Sequence, residues 1–560
     1  MRKLITLSLA TTSILLAAAP IVPNISDVVR ETTLPKGIEP KSEPLIEIGG
    51  TEKYTPAMKD DKSGKTVRVK AFKITGAVHM DVNKLQSLIA SYTGKELTFV
   101  QLQEVASIIT KAYRDEGYFV ARAYIPVQNM QEGMIEIAII EGNYGEVKLD
   151  NTSLVKDSVV QEMLDNVKDD KIVNTDTVER ALLIINETPG VKVTQANVMP
   201  GSKVGTSDFV IKTEPTARYD GYILGDNYGS RYTGYNRLMA GLNLNSLANI
   251  GDRLSMSGLV SNGSDLKYGK LAYSAPLMPN GLRGELSYSA TDYNLKEEYT
   301  YLDAEGKARI MEASLSYPII RTRAETLKLT SNIAQKDLSD YQSGSLVNDK
   351  DITVFTIGLA HTKKQTLLGM STQTSTGATL TSGNLKFMDE TSKATDAAGA
   401  NTQGRYTKIE GYVGNTLAFD QELSLDSTLK FQKALGNKNL DGSEDFSLGG
   451  TSGIKSYPTS ELNAENGIMV NMELFKMLPA FNNVTHKAGL FYDIGKASMS
   501  DSSKDTTFQS HTLQDIGIGY YASYEGFFAK VELAHIIGGG TVTSEPSYTN
   551  KLLVQLGWSF

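Results

Sequence analysis

From about residue 217 to its C-terminus the chain reads as short segments of alternating apolar and polar side chains, broken by turn residues. After residue 23 it contains no run of the ~20 apolar residues that a membrane-spanning helix needs. If this chain enters a bilayer, it does so as a closed barrel of strands. Leu238, Ala240, Leu242 and Leu244 alternate with Arg237, Met239, Gly241 and Asn243. Leu254, Met256, Gly258 and Val260 do the same against Ser255, Ser257 and Leu259, and Leu286, Tyr288 and Ala290 continue the pattern after Gly284. One apolar face and one polar or small face suits a wall between lipid and a wet lumen, and 27 tyrosines could furnish aromatic girdles. A soluble β-sandwich or propeller would alternate in the same way. At roughly 20 residues per strand with its share of connections, 216–560 holds 16 or 17 strands, and the even count of bacterial barrels selects 16.

The N-terminus gives an address. Arg2 and Lys3 precede an uncharged stretch over 4–19 that ends in Ala17, Ala18 and Ala19, the layout of a secretory signal peptide. Pro20 moves the expected cut a few residues on, so 1–23 is assigned to the signal; an uncleaved anchor is the alternative. Cysteine is absent, which excludes disulfides and thiolate metal sites and is compatible with an oxidising compartment. A net charge of −8 with no long basic block argues against nucleic acid as a partner. Residues 24–65, with Pro35, Pro40, Pro44 and Pro56 spaced through them, read as a linker or a segment that plugs the barrel, with room for a short helix over 24–31.

Two compact α/β units come next, at 66–143 and 144–215. In the first, 67–74 alternates like a half-buried strand. Asp81 can cap a helix whose apolar face is Leu85, Leu88 and Ile89. A longer helix from Thr98 presents Phe99, Leu102, Val105, Ile109 and Ala112, and Gly117 stops it. Strands are expected over 119–127 and 134–141, joined by a turn at 129–133. The second unit repeats this β-α-α-β-β order, with a strand at 146–149, helices at 155–164 and 175–186, and strands at 192–198 and 208–213. Tandem units of roughly 70 residues are the natural reading. Small sheets of this kind leave open edges that can accept an extended peptide as an added strand.

Thr110-Lys-Ala-Tyr-Arg-Asp-Glu-Gly-Tyr118, Ala121-Arg-Ala-Tyr-Ile-Pro-Val-Gln128 and Gly133-Met-Ile-Glu-Ile-Ala-Ile-Ile-Glu-Gly142 resemble a first POTRA domain. The resemblance is to two-partner secretion transporters, the haemolysin secretion/activation proteins of the POTRA-plus-barrel superfamily. Glu179-Arg-Ala-Leu-Leu-Ile-Ile-Asn-Glu-Thr-Pro-Gly190 and Pro200-Gly-Ser-Lys-Val-Gly-Thr206 are similar to the second POTRA domain of that family. Asp226-Asn-Tyr-Gly-Ser-Arg-Tyr-Thr-Gly234 resembles its first barrel strand and turn. The last residues, Leu552 to Phe560, place Leu552, Val554, Leu556, Trp558 and Phe560 on one face, like the C-terminal signal strand of outer-membrane barrels.

The stretch Leu448-Gly-Gly-Thr-Ser-Gly-Ile-Lys-Ser-Tyr-Pro458 resembles the family's inward-folded sixth extracellular loop, and Phe491-Tyr-Asp-Ile-Gly495 its acidic wall strand. The resemblance implies a loop-to-barrel lock made by Gly449, Gly450, Gly453, Ile454, Lys455 and Tyr457 against Phe491, Asp493 and Gly495. Lys455 stands where the family usually has Arg. A planar guanidinium binds a carboxylate through two bonds, whereas an ammonium is a compact point charge, so a single charge-assisted bond is expected here. By itself the stretch also fits an ordinary surface hairpin. Tyr118, Arg122, Tyr124 and Arg180 are the candidate substrate-binding residues of the POTRA units, and Trp558 and Phe560 the candidate assembly signal.

Nothing points to catalysis. The five histidines lack metal-ligand spacing, and no Gly-x-Ser-x-Gly elbow occurs. Pairs among 64 acidic residues arise by chance. The resemblance implies an outer-membrane transporter, with POTRA units in the periplasm, that captures an unfolded exoprotein and passes it through the barrel without cofactor or metal. Its partners would be that exoprotein, outer-membrane lipids and the barrel-assembly machinery. An assembly insertase of the same superfamily, a passive porin or a surface adhesin are the rival readings.

Overall fold

The computed structural model describes residues 23–32, 46–48, 65–130, 132–459, 461–504 and 508–560. The expected signal peptide therefore lies outside the described residues, apart from Pro23. Where a linker or plug segment with room for a short helix over 24–31 was expected, the described parts form that helix, α1 (Ile25–Glu31), and a short strand, β1 (Ile46–Ile48). The side chain of Asn24 accepts from the Ser26 N–H, and Asp27 completes a capping box, so this seven-residue helix starts on local chemistry.

The first α/β unit comprises β2 (Thr66–Arg68), β3 (Ala71–Thr75), α2 (Val82–Ile89), β4 (Glu96–Thr98), α3 (Phe99–Asp115), β5 (Arg122–Tyr124) and β6 (Met134–Ile140). Asp81 caps α2, and Thr98 with Gln101 forms a capping box on α3. The face of α3 carrying Leu102, Val105 and Ile109 packs with Ile135 and Ile137 in one core under the sheet β3-β6-β5. The strand expected over 119–127 shrinks to three residues. Backbone bonds from Phe119 N to Gly117 O and from Ala121 N to Tyr118 O turn the chain there, and Val120 leaves this unit for the core of the next.

The second unit has the plain β-α-α-β-β order, without counterparts, among the described residues, of the paired short strands β2 and β4: β7 (Asn143–Asn151), α4 (Asp157–Asp165), α5 (Thr175–Asn186), β8 (Lys192–Pro200) and β9 (Thr206–Glu214). Its sheet runs β1-β8-β9-β7. The edge strand β8 is thus not open: β1 lies parallel beside it, Glu47 in register with Asn197. The chain's own linker occupies the position that an added peptide strand would take.

Sixteen strands among the described residues close the barrel. They begin with β10 (Tyr219–Asp226), β11 (Arg237–Asn245), β12 (Arg253–Ser261), β13 (Leu266–Pro276), β14 (Arg283–Asn294) and β15 (Ala304–Arg321). The longest follow, β16 (Glu325–Gln342), β17 (Ser345–Leu367) and β18 (Met370–Phe387), with α6 (Glu390–Ala398) in the next connection. After β19 (Gly404–Ala418) and β20 (Leu423–Ala434), a long connection contains the two-residue pair β21 (Phe446–Ser447) and β22 (Asn463–Ala464). The wall then finishes with β23 (Asn466–Met477), β24 (Thr485–Ser498), β25 (Thr512–Tyr524), β26 (Phe527–Gly538) and β27 (Asn550–Ser559). Leu238, Leu286, Ile333, Phe355, Ile518 and Leu556 are exposed on the outer face, whereas Met239, Leu259 and Leu338 are buried with α1 residues Ile25 and Val28. Closure is shortest at the seam, where β10 meets β27 over five residue pairs, against eight or more in each neighbouring ladder.

The second unit sits against one rim of the barrel. Gly190 and Gly251 lie close to Ser246 and Thr188, and Lys156 N donates to Asn249 O at 2.9 Å. Arg180 donates to Ile319 O and Asn280 O at 3.0 and 3.1 Å and lies over the Tyr317 ring. The opposite rim, the far mouth, carries the long connections.

Candidate functional site

The connection over 435–465, the sixth at the far mouth, does not project outwards; it folds into the lumen. Glycine makes its tip compatible with that path. Gly450 has φ of 90°, and a Cβ at Gly449 or Gly453 would run into the backbone of Pro458 or Leu448. Bonds from Ile454 N to Leu448 O (2.7 Å) and from Gly450 N to Tyr457 O (2.9 Å) tie the loop to itself. Ile454 and Tyr457 are fully buried in an apolar cluster with Leu448, Met469 and Leu513.

That fold delivers Lys455 to the wall. Its Nζ lies 2.9 Å from Asp493 Oδ2 and 4.0 Å from the centroid of the Phe491 ring. Asn471 Nδ2 donates to both Asp493 Oδ1 and Gly453 O at 2.8 Å, so the acid and the loop share a donor. Gly495 is close to Leu448, with no room for a side chain between them. The Tyr457 hydroxyl donates to Gly540 O at 2.8 Å. All nine residues expected at the lock are thus gathered in one place.

Sequence reading missed a second acid. Asp515 of β25 stands directly opposite Asp493 of β24 and is fully buried. Its Oδ2 accepts from Ser456 N at 2.6 Å, while Oδ1 has no hydrogen-bond partner. One ammonium therefore faces two carboxylates. Also missed was the stalk of the loop, where Lys350 Nζ contacts Asp441 at 2.6 Å, and Lys336 and Lys408 hold Glu444 at 2.6 and 3.1 Å. The clustered acids of Asp441-Gly-Ser-Glu-Asp445 were the available signal. Their lysine partners are spread over β16, β17 and β19, and no local pattern pairs them.

Helix α1 lies in the far mouth beside this loop. Ile25 N donates to Asp340 Oδ1 at 2.8 Å and Ser26 Oγ to Asp441 at 2.9 Å. At its other end Arg237 donates to Glu31 O at 2.6 Å while pairing with Asp226 at 2.8 Å. With Val28 almost wholly buried, the helix is held by polar contacts around an apolar face.

The other expected residues lie elsewhere. Tyr118 packs edge-on to Tyr113, and Arg122 and Tyr124 belong to the edge strand β5 of the first unit. Arg180 is engaged by the barrel rim as described above. Trp558 stacks on Phe527 and contacts Phe560, whose backbone N–H and C=O pair with Gly221 at 3.0 Å and close the seam. No group of three or more His, Cys, Asp or Glu side chains among the described residues is arranged to hold a metal ion.

Comparison with known proteins places this geometry. The family model for haemolysin secretion/activation protein ShlB/FhaC/HecB matches residues 205–520, and that for the ShlB-type POTRA domain matches 67–142. The heme/hemopexin transporter protein HuxB of Haemophilus influenzae strain 86-028NP is 27% identical over 504 residues, which cover 88% of this chain and 87% of HuxB. Among solved structures, CdiB from Escherichia coli superposes with a TM-score of 0.74 at 19% identity, covering 90% of this chain and 93% of CdiB. CdiB from Acinetobacter baumannii gives 0.64 at 13% identity, covering 96% of each chain. Both structural matches are likenesses of fold.

Proposed function

The chain belongs to the haemolysin secretion/activation protein family, ShlB/FhaC/HecB, and from that premise we propose that it captures one unfolded exoprotein on its POTRA units and releases it through the barrel. As a member it is an outer-membrane transporter of the two-partner secretion class, with the α/β units in the periplasm and the far mouth at the cell surface. Its family is one of transport rather than catalysis.

The observation that carries the proposal is the loop folded inside a closed barrel and held to the wall through Lys455 and Asp493. Together with α1 it fills the far mouth, so passage of a chain requires both to move. A gate of this kind has no use in a passive porin. Capture by strand addition fits the sheets of the POTRA units, where β1 on the edge of β8 is the arrangement an incoming strand would copy or displace. Candidate contacts in the first unit are Tyr118, Arg122 and Tyr124. Arg180 would act on the barrel side of the second unit. The transporter's own insertion would use the aromatic end, Trp558 and Phe560, with the barrel-assembly machinery, and lipids would surround the wall. No nucleotide is available in the periplasm, and the exoprotein's folding outside the cell would supply the driving force.

The test is secretion of the exoprotein encoded beside this gene, with and without the transporter, while the other outer-membrane barrels are quantified. Retention of that exoprotein alone in the periplasm is the expected result. A general loss of barrels would make this an insertase, and no change in either would remove the secretion reading.

A further inference from the structure

The two parts of the gate are joined by a route that neither of them contains. We propose that the eighth extracellular connection (539–549) is a coupling clasp that ties loop six to α1 across the barrel seam, with Glu461 and Glu545 as its positioning residues.

The route begins on loop six, three residues past Pro458. Glu461, itself buried, accepts four bonds from connection eight: Thr543 N at 2.7 Å and Thr543 Oγ1 at 2.8 Å on one oxygen, Ser544 N at 3.1 Å and Ser544 Oγ at 2.7 Å on the other. Two backbone and two hydroxyl donors on one carboxylate fix its direction as well as its position. Val542 adds an apolar anchor in the cluster that buries Ile454 and Tyr457. Connection eight then crosses the seam. Its Glu545 accepts from Arg231 N at 2.9 Å and from the Tyr235 hydroxyl at 3.1 Å, and its Ser544 O accepts from the Tyr232 hydroxyl at 2.8 Å. Those three residues belong to the first connection, between β10 and β11. In the same connection Thr233 Oγ1 donates to Glu31 Oε2 at 2.6 Å, in the last turn of α1, and Arg237 just beyond donates to Glu31 O.

The seam is where such a clasp matters. The β10–β27 ladder is the shortest in the wall, and Asn227 extends it with its side chain, donating to Leu552 O and accepting from Val554 N at 2.8 Å each. The flanking connections, one and eight, are the two that the clasp joins. If Lys455 leaves the wall and loop six moves, Glu461 is withdrawn from connection eight, the grip on connection one weakens, and the C-terminal end of α1 loses its Thr233 contact and is left with Arg237 alone. The N-terminal end needs no relay, because Ser26 bonds directly to Asp441 of loop six. Both ends of the helix thus answer to one loop. This gives the gate a single coupled motion in place of two independent ones.

The chain has no cysteine, so Val28→Cys creates a single thiol that is buried while α1 is seated. Its maleimide labelling rate in full-length protein in lipid nanodiscs reports release of the helix without any exoprotein, so a failed secretion reading cannot mimic the result. Glu461→Ala and Glu545→Ala are each expected to speed labelling about tenfold, the scale of a lost charge-assisted contact. The double variant is expected to be no faster than the faster single, because both act on one series of contacts. Glu390→Gln, on α6 and outside the route, should label at the parent rate. Heat-modifiable migration reports an intact barrel, and Glu461→Gln replaces the alanine variant if that one fails to assemble. An unchanged rate in both single variants overturns the coupling, as does a double variant whose factor is the product of the singles, or an equal effect from Glu390→Gln.

Discussion

Lys455 brings one positive charge to a place where Asp493 and Asp515 stand side by side, and the consequence of losing it follows from burial. A buried ion pair contributes little net stability, but removing one partner strands the other, at about 3–5 kcal/mol. Lys455→Ala should therefore lower the barrel's resistance to urea by about that amount, and Asp493→Ala should do so to a similar extent. Lys455→Met with Asp493→Asn and Asp515→Asn should cost far less while still releasing the loop, because no buried carboxylate is then left without its cation, so stability and secretion separate in that triple variant. Lys455→Arg should tighten the lock, because a planar guanidinium offers paired donors where the ammonium makes one bond to Asp493; slower secretion at unchanged expression is the expected reading. A second residue-scale prediction concerns the periplasm. Burial pushes the Glu141 carboxyl up, but bonds from the His79 N–H and ring, the Val78 N–H and the Tyr113 hydroxyl outweigh it and hold the group below its ordinary value. A carboxylate depressed in the folded state adds stability above its unfolded pKa and loses it as pH falls through the folded one. Below about pH 4 the amides of Val78 and His79 should lose hydrogen-exchange protection, corrected for intrinsic rate, and Glu141→Gln should abolish that pH dependence.

Among the elements, α1 was legible as a short helix over 24–31, but its partners were not. Seven residues are too few to hold helical structure alone, and its capping box was available in the sequence without saying what it packs against. Its apolar side, Ile25 and Val28, is complemented only once the barrel closes. Val28→Asp places an unpaired carboxylate in that cluster and should unseat the helix; ion conductance of the reconstituted protein should rise, with strand content by circular dichroism unchanged. The strands of the barrel were easier, because alternation is written locally and a one-residue slip would turn every apolar side chain inwards. The strand expected at 119–127 was over-extended for the opposite reason. Val120 alternates correctly but belongs to a neighbouring core, and sequence spacing cannot show which core a side chain enters.

For the whole molecule, the second POTRA unit is fixed to the barrel by more than its covalent link. Arg180 reaches two carbonyls of the rim, Arg321 Nε pairs with Glu187 at 2.7 Å, and Arg323 lies 3.1 Å from Glu179. The Arg180 contact ties two carbonyls at once and also covers the Tyr317 ring, so it should dominate over the single-acid pairs of Arg321 and Arg323. Arg180→Ala should broaden the distance distribution between spin labels on α5 and on the rim, measured by pulsed electron resonance, and Arg323→Ala should leave it narrow. A rigid unit would present its sheet to the pore at a set angle, which a chain handed from one to the other requires.

The sequence by itself determined the alternation of the wall strands and the two β-α-α-β-β units, because period-two and helical spacing, caps and turn residues are local properties of the chain; the count of sixteen came from length and the even-number rule of bacterial barrels, and closure from the structure. It also marked Lys455 and Asp493, through short motifs. The tertiary structure alone decided that Asp515 shares their site, that three wall lysines hold Asp441 and Glu444, that β1 covers the edge of β8, and that connection eight joins loop six to α1. Each of these is a contact between segments tens to hundreds of residues apart. Which charges meet there is set by strand register, barrel closure and the inward turn of a glycine-rich loop, and none of these has a local signature.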